Sequence, residues 1–114
     1  MKMQNKNFIT IPGWYLGYTE SNEENRVVTR MNDMGYESFT PYPEKNNKLL
    51  NNNPLYPNYV FIKFEDNVLE KFLVKVEGLI DYVSFDGHPV RLSELEVDRI
   101  KQKVDRSIEE NVFI

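Results

Sequence analysis

The stretch PNYVFIKFE, residues 57–65, decides the fold. Successive side chains of a strand point to opposite faces, so Val60, Ile62 and Phe64 share one face and Tyr59, Phe61 and Lys63 the other. Its β-branched and aromatic residues suit a pleated surface buried on at least one side, and the segment reads as a central strand. An antiparallel sheet with one wet face alternates apolar with polar positions, and this strand does not. Val60, Ile62 and Phe64 belong to a helix-backed core. Tyr59 and Phe61 are left for a second surface: either the last helix or an inserted loop covers them as ordinary core, or they form an aromatic patch for a partner.

Working back towards the amino terminus, residues 44–53 (EKNNKLLNNN) are dominated by Asn and Lys and read as an exposed flexible loop or hairpin tip. YESFTPYP (36–43) is a second strand ended by two prolines, which cannot donate to a ladder, so an edge position is expected. Before it, residues 21–35 form a helix, with Ser21 and Glu24 at capping-box spacing and Gly35 as the stop. Its Val27, Met31 and Met34, with Val28 alongside, recur at helical spacing and should face the sheet. WYLGYT (14–19) is a strand with Trp14, Leu16 and Tyr18 on one face and Tyr15 and Thr19 on the other. Residues 1–12 read as a loose leader.

Towards the carboxyl terminus, NVLEKFLVKVEG (67–78) reads as a second helix opening at Asn67, with Leu69, Phe72, Leu73 and Val76 on one stripe and Gly78 as its end. A strand follows in LIDYVSF (79–85), then a turn in DGHP and a short extended piece in VRL. The last helix carries a capping box, Ser93 and Glu96, and a hydrophobic staple, Leu92 and Val97. Val97, Ile100, Val104 and Ile108 define its buried stripe. The order strand, helix, strand, strand, helix, strand, helix predicts an α+β fold, a four-stranded antiparallel sheet flanked by helices in a ferredoxin-like sandwich.

The chain has 114 residues, enough for one domain with a real core. With no cysteine, neither a disulfide nor a thiolate nucleophile is available, and a reducing cytoplasm suits the composition. The longest apolar runs are a few residues, so neither a membrane span nor a signal peptide is expected. The single histidine, His88, has no second histidine or cysteine to complete a metal site or a nucleophile–base pair, and reads as a solvated turn residue. No carboxylate pair or phosphate loop is visible, and no enzyme activity, cofactor, metal or small-molecule substrate is expected. A net charge of −4 disfavours a surface built to neutralise many phosphates and favours a protein partner.

Several of these segments together resemble one family. PLYPNYVFIKF (54–64) looks like the signature strand of the NusG amino-terminal domain family of transcription elongation and antitermination factors, RfaH-like members included. WYLGYT (14–19), GYESFTP (35–41) and VEGLIDYVSFDGHPV (76–90) fall in the family's order around it. The resemblance spans residues 13–108 and implies one such domain over 13–110. It implies binding to the clamp helices of the largest RNA polymerase subunit through a hydrophobic pocket, which favours processive elongation. Carried over by position, Tyr59 and Phe61 would line the pocket, Phe85 would stand beside them and Val97 at its rim, and Pro57 and Asn58 would set the strand's entry. On this reading Phe61→Asp abolishes binding and leaves the fold intact. Arg26 and Arg30, four apart on one helix face, and Lys45 and Lys48 in the Asn-rich loop are offered as contacts to upstream or non-template DNA. The bland alternative for the arginines is a solvated face paired with Glu23. Glu70, Lys71, Phe72 and Leu73 replace the hydroxyl-rich motif with which RfaH touches the opposite polymerase pincer. No carboxy-terminal KOW domain follows in this chain, so ribosome and termination-factor partners are not expected. The alternative function is a sheet-surface module that stacks RNA or single-stranded nucleic acid on its exposed aromatics.

Overall fold

Tyr59–Phe64 (β5) forms the middle of the main sheet, as its sequence requires, with one neighbour on each side. The computed structural model describes residues 11–42, 44–45, 48–49, 53–72 and 74–102, of which 44, 45, 48, 49 and 69 by backbone alone. The first ten residues of the expected leader over 1–12 and the helix positions Val104 and Ile108 lie outside the described residues.

The strands Gly13–Thr19 (β1) and Glu37–Phe39 (β2) flank β5, and Leu79–Tyr82 (β6) completes the order β2-β5-β1-β6. Every pairing is antiparallel, and β2 takes the edge that its following prolines predict. The sheet has a fifth strand: Arg91–Leu92 (β9) pairs with the start of β1, beside the stretch where β6 pairs with its end. Glu44–Lys45 (β3) and Lys48–Leu49 (β4) close a small hairpin inside the Asn-rich segment. Ser84–Phe85 (β7) and His88–Pro89 (β8) close another. Its two-residue tip, Asp86 and Gly87, has positive φ at both positions (55° and 80°), the conformation that Asp-Gly supplies readily in a hairpin turn. His88 thus pairs with Phe85 in a strand and is half-buried, not a solvated turn residue.

One face of the sheet carries the larger core. Tyr15, Val60, Ile62 and Phe64 meet Val27 and Met31 of the helix Glu24–Asp33 (α1), Val68 of the short helix Val68–Phe72 (α2), and Val76 and Tyr82. Helix α1 ends as expected: Gly35 has φ 95°, its N–H bonds to the Asn32 carbonyl, and the Tyr36 N–H reaches the Met31 carbonyl, a Schellman closure. That closure leaves Met34 exposed at the cap, where the periodicity had placed it towards the sheet.

Two sequence expectations fail here. No capping box opens α1: Glu23 is the N-cap and makes no side-chain cap bond. Nor does the second helix reach Gly78, since α2 spans Val68–Phe72 only. Val74 and Val76 are β-branched and poor helix formers. Tertiary bonds hold the 77–78 turn instead: the Arg30 guanidinium donates to the Glu77 carbonyl at 3.0 Å, and the Glu20 N–H donates to the Gly78 carbonyl at 2.9 Å. Val76 is thereby buried in the core without being helical.

Candidate binding face of the sheet

The other face of the sheet is ordered in three cross-strand rows fixed by register. Leu92, Trp14, Lys63 and Glu37 make the first, running from β9 through β1 and β5 to β2. Leu16, Phe61 and Phe39 make the second. Asp81, Tyr18 and Tyr59 make the third, across β6, β1 and β5. Directly opposed residues share a face at about 5 Å spacing, so each row is a contiguous strip.

A helix over residues 94–102 (α3) lies across the first two rows. Its capping box forms as the sequence predicts: the Ser93 N–H donates to Glu96 Oε1 at 2.8 Å and the Glu96 N–H to Ser93 Oγ at 3.1 Å. Glu94 pairs with Lys63 of the first row at 2.7 Å. Val97 packs with Trp14 and Phe61 and is 0% exposed, with Ile100 beside it. Lys101 Nζ sits 4.8 Å from the Phe39 ring centre and 5.5 Å from that of Trp14. Below it, Phe39 stacks on Phe61 with ring centres 4.9 Å apart, and Trp14 meets Phe39 edge-on at 5.4 Å. Phe61 is consequently 3% exposed. Of the two possibilities for the second face, the helix cover is realised for Phe61, and Val97 is part of that seal and not an open rim.

The third row is different. Tyr18 is 41% exposed, Tyr59 is half-buried and Asp81 is exposed. The two tyrosine rings lie 5.7 Å apart at 56°. Phe85, on the β7–β8 hairpin, is 79% exposed. The predicted set therefore divides: Phe61 and Val97 sit inside, Tyr59 and Phe85 outside. Tyr18 and Asp81 were not among the residues singled out from sequence, because alternation gives Tyr18 its face but only the register of β1 with β5 and β6 assembles the row.

Pro57 and Asn58 build the entry of β5. The Tyr59 N–H bonds back to the Tyr56 carbonyl, Pro57 takes the second turn position, and Asn58 has φ 75°, the pattern of a type II turn. Asn58 then ties three elements together. Its side-chain amide donates to the Thr19 carbonyl at 2.9 Å, its carbonyl accepts from the Thr19 N–H at 2.8 Å, and its own N–H donates to Glu24 Oε2 at 2.7 Å. Glu24, read from sequence as a capping residue, is buried and serves this turn instead. Glu24→Ala is expected to cost about 1–3 kcal/mol, the range for leaving a buried donor unpaired. Urea denaturation reads this as a lower midpoint with an unchanged slope.

Helix α3 is held by groups whose titration has a definite sign. The Lys63 ammonium, followed by the Trp14 indole dipole, holds the Glu94 carboxyl below its ordinary value. Among the described residues that indole N–H has no partner at normal hydrogen-bond geometry. The backbone and hydroxyl of Ser93 hold Glu96 down in the same way. The Glu94 hydrogen bond raises Lys63. Depressed carboxyls contribute fully at neutral pH and lose their contribution as pH falls from 4.5 through their lowered values. The raised lysine loses its contribution only as pH climbs above 10.5. Stability measured by urea midpoint should thus fall below pH 4.5, and Glu94→Gln with Glu96→Gln should flatten that fall.

The arginines of α1 lie on the helix-backed side of the sheet. Arg30 is engaged by Glu77 at 3.6 Å and Glu23 at 3.9 Å, and Arg26 approaches Glu23 at 3.6 Å while staying largely exposed. With Asn25 and Thr29 they line a shallow depression of about 330 Å³. Lys45 and Lys48 pair across the β3–β4 hairpin by backbone, and their side chains lie outside the described residues. A second cleft, of about 290 Å³, opens at the covered end between Trp14, Lys63, Glu65, Arg91 and Glu94, remote in register from the third row. Among the described residues no cluster of three or more His, Cys, Asp or Glu is placed to hold a metal, and no helix is long and apolar enough to cross a membrane.

A search among curated proteins found no significant match. A family profile described as transcription termination factor nusG matches residues 12–101, which takes in every strand of the main sheet and nearly all of the described part of α3. The chain therefore belongs to the NusG family of transcription elongation and termination factors, which act by binding and not by catalysis.

Proposed function

We propose that this domain binds the clamp helices of the largest RNA polymerase subunit through the uncovered third row, with Tyr18 and Tyr59 as anchors and Phe85 as a flanking contact. One observation carries the reading: on a sheet sealed elsewhere by its own helices, this row and the neighbouring hairpin keep large aromatic side chains in solvent. Exposed aromatics beside polar groups are the usual anchors of protein interfaces. Phe61 and Val97 support this surface from below; they hold Tyr59's strand and α3 in place and do not touch the partner.

The action on transcription follows from differential affinity. A domain that binds one state of the polymerase clamp more tightly than another shifts the population towards that state and needs no chemistry. Tighter binding to the closed clamp favours processive elongation in the cytoplasm, where the enzyme works. Arg26 is the better candidate for upstream or non-template DNA, since Arg30 is committed to Glu77. Fluorescence titration of the domain with a hairpin fragment carrying the clamp helices tests the assignment. Saturable binding that Tyr59→Ala weakens supports it, and no binding by a folded domain refutes it. RNA stacking on the same tyrosines is disfavoured by Asp81 beside them, and would appear as salt-sensitive binding of labelled RNA.

A further inference from the structure

We infer that the third row selects a partner through an arginine, which lies on the Tyr18–Tyr59 rings and pairs with Asp81; this rests on the polymerase-binding reading above. The three residues are consecutive neighbours across β6, β1 and β5, so a carboxylate borders two accessible rings on one face. Asp81 Oδ1 accepts the Tyr82 N–H at 2.7 Å, which fixes the carboxylate's orientation before any partner arrives. Among the described residues Asp81 is in no ion pair.

Charge complementarity favours a cation over any other polar group. Glu20 follows at the same end of β1, while Lys63, Arg91 and Lys101 lie at the covered end, Arg26 and Arg30 lie with α1 behind the sheet, and Lys71 pairs with Asp66. A guanidinium is planar and forked, so it can lie flat on a tyrosine ring while its N–H groups reach a carboxylate. An ammonium has one point of charge and satisfies both less well. The fitting partner surface is therefore an arginine flanked by apolar helix residues.

The experiment titrates wild type, Asp81→Asn, Asp81→Arg and Tyr59→Ala with the clamp-helix hairpin fragment, and with versions in which each of its arginines is changed singly to glutamate. Asn keeps the oxygen that accepts the Tyr82 N–H, so the fold is unaffected and thermal melting checks this. The inference expects Asp81→Asn to weaken binding about tenfold and Asp81→Arg by more, with one Arg→Glu fragment restoring affinity to Asp81→Arg. It is overturned if Asp81→Asn binds within about twofold of wild type, or if no fragment variant rescues Asp81→Arg. In that event a loss at Tyr59→Ala leaves polymerase binding by this face standing. Equal binding by all the domain variants would sink the wider reading instead.

Discussion

Phe61→Asp is expected to abolish the folded domain and not, selectively, its binding. Phe61 is 3% exposed, stacked on Phe39 at 4.9 Å and closed over by Val97. Removing a buried phenylalanine costs about 3–5 kcal/mol by truncation alone. A carboxylate buried in the same place adds several kcal/mol more unless it is protonated or paired. Against a total stability of about 5–15 kcal/mol, the sum removes most or all of the margin. Far-ultraviolet circular dichroism should show no cooperative melt for Phe61→Asp, while Phe61→Leu, which keeps most of the volume, should melt cooperatively at a reduced temperature. A native-like melt for Phe61→Asp would mean that α3 does not seal the second row in solution.

The second large effect is on binding. Tyr59→Ala should weaken association with the clamp-helix hairpin by roughly 2 kcal/mol or more, about thirtyfold, as expected for an aromatic anchor at an interface centre, and Phe85→Ala, at its flank, by less. Melting temperature should move little for Phe85→Ala, whose ring is 79% exposed. Tyr59→Ala should cost some stability as well, since its ring packs on Tyr18 at 5.7 Å. The separation of the two readouts matters. Phe61 variants lose fold first and binding as a consequence, whereas Phe85 variants lose binding alone.

Much of the fold was legible because local patterns determine it. The alternation in 57–65 placed Val60, Ile62 and Phe64 in one core and Tyr59, Phe61 and Lys63 on the other face, where they stand. Prolines after β2 put that strand at an edge, and Ser93 with Glu96 marked the start of α3. What failed depended on contacts distant in sequence. Glu24 has capping spacing, yet a turn 34 residues later claims its carboxylate. The second helix has a helical stripe, yet bonds from Arg30 and Glu20 hold its latter part in a turn. The candidate binding face was legible only as a sticky second face. Whether α3 covered it depended on where a helix with a well-marked apolar stripe docks, and stripe periodicity does not say that. Gly17 shows the same limit from the other side: nothing local demands glycine there, but a Cβ would stand 2.7 Å from Leu79 Cδ1 and 3.0 Å from Val60 Cγ2 across the sheet.

The division of one sheet face into a sealed part and an open part is what the functional account stands on. The most direct test is a heteronuclear NMR titration of the isotope-labelled domain with the clamp-helix hairpin. The account predicts that amide shifts concentrate at Tyr18, Tyr59, Asp81 and Phe85 and spare the solvent face of α1. Shifts confined to α1, or spread over α3 with the third row silent, would contradict it.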